Sequence, residues 1–184
     1  MKSFYWLCLL IFPATFFLNG CSVLVGHVKP DDEKAADRSV MNKVPDLTLI
    51  DANWKKIVLA ATFTTSEDTP DSAWQSQKTA AVISINSACS QLNDERSSIQ
   101  YVTSSLLSQW RQLKILHQED TKLSGYPALE TTAEGYYLNR TRKFQTVAVK
   151  TPSCVYDLIY LSPVNTFDQE LSSFQKFRDN LVLK

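Results

Sequence analysis

The chain has 184 residues, with 19 basic against 19 acidic side chains and a formal net charge of zero. That balance makes no electrostatic case for nucleic acid, whose phosphate backbone is held by clustered positive charge. The length and a 44% hydrophobic content suit one domain with a proper core, plus a tail.

Residues 1–20 do not read as part of that domain. Lys2 is their only charge, Phe4 to Leu18 form an apolar run of about fifteen residues, and the small Gly20 precedes Cys21. At about 1.5 Å per residue the run is short for a membrane span. The ending Leu18-Asn19-Gly20-Cys21 resembles the lipobox of bacterial lipoproteins, with Asn19 standing where small or β-branched residues are usual. The resemblance implies a signal peptide over 1–20, cleavage before Cys21, and lipidation of Cys21. Membrane would then be a partner through acyl chains, at about 0.8 kcal/mol per buried CH₂. An ordinary secretory signal and an uncleaved signal anchor are the alternatives. Ser22, not Asp, follows Cys21, which the same resemblance connects with transport to the outer membrane; a periplasm-facing domain is the accompanying expectation, with surface exposure the alternative.

Residues 21–44 include Asp31-Asp32-Glu33-Lys34 and lack a sustained apolar period, so they read as a flexible tether carrying the lipidated cysteine. Residues 45–184 are then the single folded domain. Cys8 would leave with the signal and Cys21 would be consumed by lipid, leaving Cys89 and Cys154. In an oxidising envelope two such thiols suggest one disulfide, closing a loop of about 65 residues and worth about 4 kcal/mol by loop-closure entropy. Two separately buried thiols, or a redox or nucleophilic cysteine, remain the alternatives.

From Val44 the text turns strand-like, with Lys56 to Phe63 the clearer segment. Thr64 to Gln77 is polar enough to predict a long hairpin loop, with Trp74 folding back on the body, and Ala80 to Ile85 a buried strand. Between Asn93 and Lys114, Ile99, Val102, Leu106, Trp110 and Leu113 recur at helical spacing. Asn93 or Asp94 is the expected cap, Arg111 and Lys114 suit the C-terminal end, and Ser97, Ser104, Ser108 and Arg111 should face water. Four strands follow, Ile115–Leu123, Tyr126–Leu138, Lys143–Lys150 and Cys154–Leu161. They are joined by Ser124-Gly125, Asn139-Arg140-Thr141 and Thr151-Pro152-Ser153, connections short enough to make the strands antiparallel neighbours. The last, apolar on both parities, should lie centrally with both faces covered. Phe167, Leu171, Phe174, Phe177 and Leu181 then mark a second amphipathic helix, with Thr166 and Gln169 as a capping box. The expected class is α+β, an antiparallel sheet covered by helices.

That order carries a cysteine closing Ala80 to Cys89 ahead of the long helix, and Ser153-Cys154-Val155-Tyr156-Asp157-Leu158 ahead of a Phe-rich final helix. It resembles a group of bacterial lipoproteins whose domain is similar to the PsbP-like α/β/α sandwich, over roughly residues 46–184. The resemblance implies a fold whose members bind partners more often than they catalyse reactions, and fold alone does not settle function.

Chemistry-bearing motifs are sparse. Two histidines, His27 and His117, are too few and too separated for a metal site, and HExxH, CxxC, GxGxxG and G-x-S-x-G do not occur. Cys89, His117 and Asp157 could be imagined as nucleophile, base and orienter, but nothing near them marks an activated thiol. Glu119 and Asp120 would point to opposite faces of a strand, while Glu130 and Glu134 would share a face about 13 Å apart, beyond the usual glycosidase separations. No catalytic residue and no cofactor is assigned. Tyr126, Tyr136, Tyr137, Arg140 and Arg142, beside Lys143, combine aromatics with arginine as recognition surfaces do. The expectation is a non-enzymatic outer-membrane lipoprotein that binds an envelope protein or component. A cysteine-dependent envelope enzyme or redox protein, and a carrier of a small apolar ligand, are the competing readings.

Overall fold

The computed structural model of the protein describes residues 46, 51–57, 71–89, 98–137 and 139–183. The expected signal peptide, Cys21 and the tether lie outside the described residues.

Seven strands form one antiparallel sheet. In chain order they are β1 (Trp54–Ile57), β2 (Ser72–Ser76), β3 (Val82–Ala88), β4 (Arg111–Leu123), β5 (Tyr126–Tyr137), β6 (Arg140–Lys150) and β7 (Val155–Pro163). Their spatial order is β1-β2-β3-β7-β6-β5-β4. Helix α1 (Ile99–Ser108) follows β3, and the chain resumes at the far edge of the sheet with β4. From there a meander returns to lay β7 against β3. The last strand is therefore the middle one, as its double-sided apolar pattern predicts.

Strand alternation sorts the core into two layers. Ile83, Ile85, Val147, Val149, Tyr156, Leu158 and Tyr160 point to one face, with Trp54 and Trp74, and meet Phe167, Phe174, Phe177 and Leu181. These last come from helix α2 (Phe167–Asp179) and the residues just after it. On the opposite face Ala148, Val155 and Ile159 meet Ile99, Val102 and Leu106 of α1. One helix on each face makes the α/β/α sandwich.

Polar contacts hold α2 in place. Tyr160 donates its hydroxyl to the Phe167 carbonyl at 2.7 Å, and the Ser76 hydroxyl donates to the buried Glu170 at 2.7 Å. Near the C-terminal end of α2, Arg178 reaches Glu130 of β5 at 2.7 Å, and Glu130 also accepts from Gln145.

Several boundaries differ from the sequence reading. Ser72 to Ser76, expected within a loop, is strand β2 between β1 and β3, and Trp74 is a 1% exposed core residue of that strand. Helix α1 is shorter than its periodicity suggests. Its cap is Ser98, whose hydroxyl accepts from the Tyr101 N–H at 3.1 Å, and it ends at Ser108. Trp110 follows the helix, while Arg111, Leu113 and Lys114 belong to β4, because pairing with β5 begins at Arg111↔Tyr136. Thr166 makes no side-chain capping bond to α2. A 3₁₀ turn over Val164–Thr166 precedes the helix, and the Thr166 hydroxyl is spent on the Pro163 carbonyl at 3.3 Å. Ser124 and Gly125 both have positive φ, 51° and 84°, the mirror-image turn that suits a two-residue hairpin.

A disulfide joins Cys89 to Cys154, just past the last β3–β7 pair, Ala88↔Val155. Thr151 closes the turn before Cys154, its hydroxyl accepting from the Cys154 N–H at 3.0 Å. Strand β4 forms one sheet edge, and most of its residues are exposed. Ladder irregularities at Arg111/Lys114 and Ile115/His117 break that edge, as bulges do in edges kept from indiscriminate pairing.

Candidate functional site

Four of the five aromatic and arginine candidates gather at one end of the sheet. Cross-strand register sets Tyr136 opposite Thr141, Tyr137 opposite Arg140 and Gly135 opposite Arg142, with Arg111 opposite Tyr136 on the other side. Tyr126 does not join them. It begins β5, eleven residues from Tyr137 or about 37 Å along an extended strand, and packs against the α2-side core.

The floor of this end is Trp110, which the helical spacing had hidden. Its indole stacks on Phe144 at 4.0 Å between centroids and lies 4.8 Å from Tyr137. Gly135 makes the stacking possible: a Cβ there would sit 3.2 Å from Trp110 Cε3 and 3.3 Å from the Arg111 carbonyl. An isolated glycine inside a strand was the available signal of a close approach. Burial pushes the Tyr137 phenol up to about 12, so it stays neutral and keeps its proton at physiological pH. Beneath Trp110 a cavity of about 20 Å³ is lined by Leu106, Tyr137, Thr146 and Ile159 among others. It has room for a water and none for an acyl chain. The Thr146 hydroxyl is buried without a hydrogen-bond partner.

Above this floor two arginines stand together, while Arg111 lies with Tyr136 on the opposite face. Arg140 and Arg142 share the α1 face of β6 and are two residues apart, about 6.8 Å along the strand. Arg140 is exposed and Arg142 half-buried. Burial, and then the charge of Arg140, lower the Arg142 pKa, so each guanidinium works against the other. Among the described residues no carboxylate forms an ion pair with Arg111, Arg140 or Arg142; Arg111 lies over the Tyr136 ring at 5.7 Å. Lys143, by contrast, is engaged by Asp168 at 3.6 Å and by the Phe167 ring at 4.3 Å.

The imagined cysteine site is not assembled. Cys89 and Cys154 are bonded to each other. His117 is an exposed edge residue 3.4 Å from Glu119. Asp157 lies three strands away on β7, about 14 Å at the usual strand spacing. Glu130 and Glu134 do share the α2 face of β5, and Glu130 is neutralised by Arg178. Among the described residues no group of three or more His, Cys, Asp or Glu could hold a metal ion.

Asp157 is the residue that sequence reasoning undervalued. It sits in the central strand between Asn86 of β3 and Ala148 of β6, 5% exposed. One carboxylate oxygen accepts from Asn86 at 3.5 Å, and the other is buried without a partner. Burial is the main cause that pushes its pKa up to about 8.

Among the described residues no helix is long and apolar enough to cross a membrane. No protein-family model matches the chain, and no curated protein matches it. Solved structures do. A Pseudomonas aeruginosa protein of unknown function, PA94, is similar over 71% of this chain and 83% of its own, with 16% identity and a TM-score of 0.48. The PsbP protein of the cyanobacterium Synechocystis is similar over 68% of this chain and 78% of its own, with 9% identity and a TM-score of 0.49. LpqN of Mycobacterium tuberculosis, which is involved in cell envelope biogenesis, is similar over 75% of this chain and 79% of its own, at 13% identity. At a TM-score of 0.54, that likeness shows a shared α+β fold.

Proposed function

We propose that this chain is a non-enzymatic envelope lipoprotein, anchored to the outer membrane through acyl chains on Cys21, whose sandwich domain binds or helps assemble an envelope partner. The observation that carries the binding role is the end of the sheet where Arg140 and Arg142 stand unneutralised by any described acid, beside a Trp110–Tyr137 floor. Arginine and large aromatics around a shallow surface are the residues that dominate binding energy at interfaces. LpqN, a protein of this fold, is involved in envelope biogenesis, which is compatible with an envelope role and does not specify one. The carrier reading draws no support from a cavity of about 20 Å³, and the enzyme reading requires thiols that the disulfide occupies.

The test is site-specific photo-crosslinking in cells. A photoreactive residue is placed at exposed Asn139, in the hairpin turn next to Arg140, or at exposed Lys55 on β1 as a control. Capture of one envelope component from Asn139 but not Lys55, lost when Cys21→Ala removes the anchor, is the expected result. Equal capture from both positions, or none, overturns the reading.

A further inference from the structure

Two guanidiniums on one strand face, one of them half-buried, raise each other's free energy unless an anion lies between them or beside them. The described residues do not supply it. Arg140 and Arg142 find no carboxylate among the described residues, and across the hairpin they face Tyr137 and Gly135. Arg111 stands at the same end of the sheet on β4, beyond β5, over Tyr136 on the opposite face. In a chain of zero formal charge the Arg140–Arg142 pair is a local excess, and the complement to it is an acidic ligand.

Spacing narrows the ligand. Residues i and i+2 of an extended strand point to one face about 6.8 Å apart. Arg140 and Arg142 have that separation, and so do two carboxylates placed i and i+2 on any extended peptide, each able to accept a forked pair of N–H bonds. Trp110 and Tyr137 offer the flanking aromatic surface on which an extended backbone can lie.

Position argues for a protein segment over lipid headgroups. The chain enters the domain at Asp51 and Trp54 beside β1, at one edge of the sheet, whereas Arg140 and Arg142 are on β6, four strands away, or about 19 Å. A domain tethered through its N-terminal side therefore carries this cluster away from the edge at which the tether arrives. We infer that the Arg140–Arg142 face receives an extended acidic segment of a partner protein, with carboxylates at alternate positions. This rests on the binding role proposed above and names the chemistry of its partner.

The experiment uses the full chain in nonionic detergent and three fluorescent twelve-residue peptides: alternating Glu-Thr, alternating Gln-Thr, and a block peptide of six Glu followed by six Thr. Alternating Glu-Thr should bind, weaken as salt is raised, and lose at least tenfold in affinity with Arg140→Gln/Arg142→Gln. A Lys55→Gln/Lys56→Gln chain should bind as the parent does. Thermal melts establish that each variant is folded. Equal binding of the Gln-Thr peptide, equal or tighter binding of the block peptide, or an unchanged affinity in the double arginine variant overturns the inference. So does binding to phosphatidylglycerol vesicles that the alternating peptide fails to compete. Failure here, with position-specific capture from Asn139 intact, removes the acidic-segment assignment and leaves the binding role; loss of both removes the role itself.

Discussion

Replacing Asp157 with asparagine should make the protein more stable at alkaline pH and remove much of its pH dependence. In the folded chain this carboxyl is buried against Asn86 and has an unpartnered oxygen, and its pKa rises from 3.8 to about 8. The folded state therefore holds the proton more tightly than the unfolded state does. Stability is greatest below about pH 4 as far as this group is concerned, declines as pH rises toward 8, and levels off once both states are ionised. About four pH units at about 1.4 kcal/mol each give a total on the order of 5 kcal/mol, of which about 4 falls between pH 5 and 8. Asp51 acts with the opposite sign, since the Asn53 N–H lowers its pKa, and its contribution is lost only as pH falls below the usual carboxylate range. Urea unfolding of the disulfide-intact protein at pH 5, 6.5 and 8 reads the effect directly. The parent should lose several kcal/mol across the series and Asp157→Asn should lose far less, because an amide of the same shape carries no charge to desolvate. Equal parental stabilities at pH 5 and 8, or an equally steep decline in the variant, would refute the reasoning.

Three further outcomes are expected. Cys89→Ser/Cys154→Ser should lower unfolding free energy by about 4 kcal/mol, the loop-closure value for about 65 residues; denaturant midpoints within experimental error of the parent would remove the disulfide from the account of stability. Gly135→Ala should destabilise by about 1–3 kcal/mol, since its Cβ presses on the Trp110 ring and on an immovable backbone carbonyl, and Trp110 fluorescence should shift as the ring leaves Phe144. An unperturbed spectrum would contradict that geometry. Phe174→Ala, removing a 0% exposed ring between α2 and the sheet, should cost about 3–5 kcal/mol by denaturant unfolding; a cost below about 1 kcal/mol would mean that α2 does not seal this face.

The parts of the fold legible in the sequence were those set by local pattern. Val155 to Leu161 is apolar on both parities, which placed β7 at the centre, and the phenylalanines of α2 repeat at helical spacing. Where tertiary pairing overrode local pattern, the text misled. Trp110 and Leu113 continue the α1 period, yet β4 pairs with β5 from Arg111 onward, and Gln112, at φ 53°, sits in the ladder irregularity between Arg111 and Lys114. β2 reads as loop because Ser72, Gln75 and Ser76 are polar; Ser76 is tolerated in the core because Glu170, 94 residues away, accepts its hydroxyl. The candidate site was half visible. Tyr136, Tyr137, Arg140 and Arg142 could be grouped from one hairpin, while Trp110 enters from another element and Tyr126 departs to the far end of β5. The burial of Asp157 follows from a central strand with both faces covered, and it becomes visible only once α1 is placed on its side of the sheet.

The seam between β3 and β7 has a consequence for how the chain is made. β3 ends at Ala88, and its neighbour β7 begins at Val155. During synthesis, or during passage across a membrane from the N-terminus, the first three strands must wait for nearly all of the chain before their sheet acquires its centre. Contacts of such long sequence separation are slow to form because the intervening loop must close first. Vectorial delivery thus yields an open, unfinished sheet until the final thirty or so residues arrive, and the Cys89–Cys154 bond becomes the chemical record that the two halves have met.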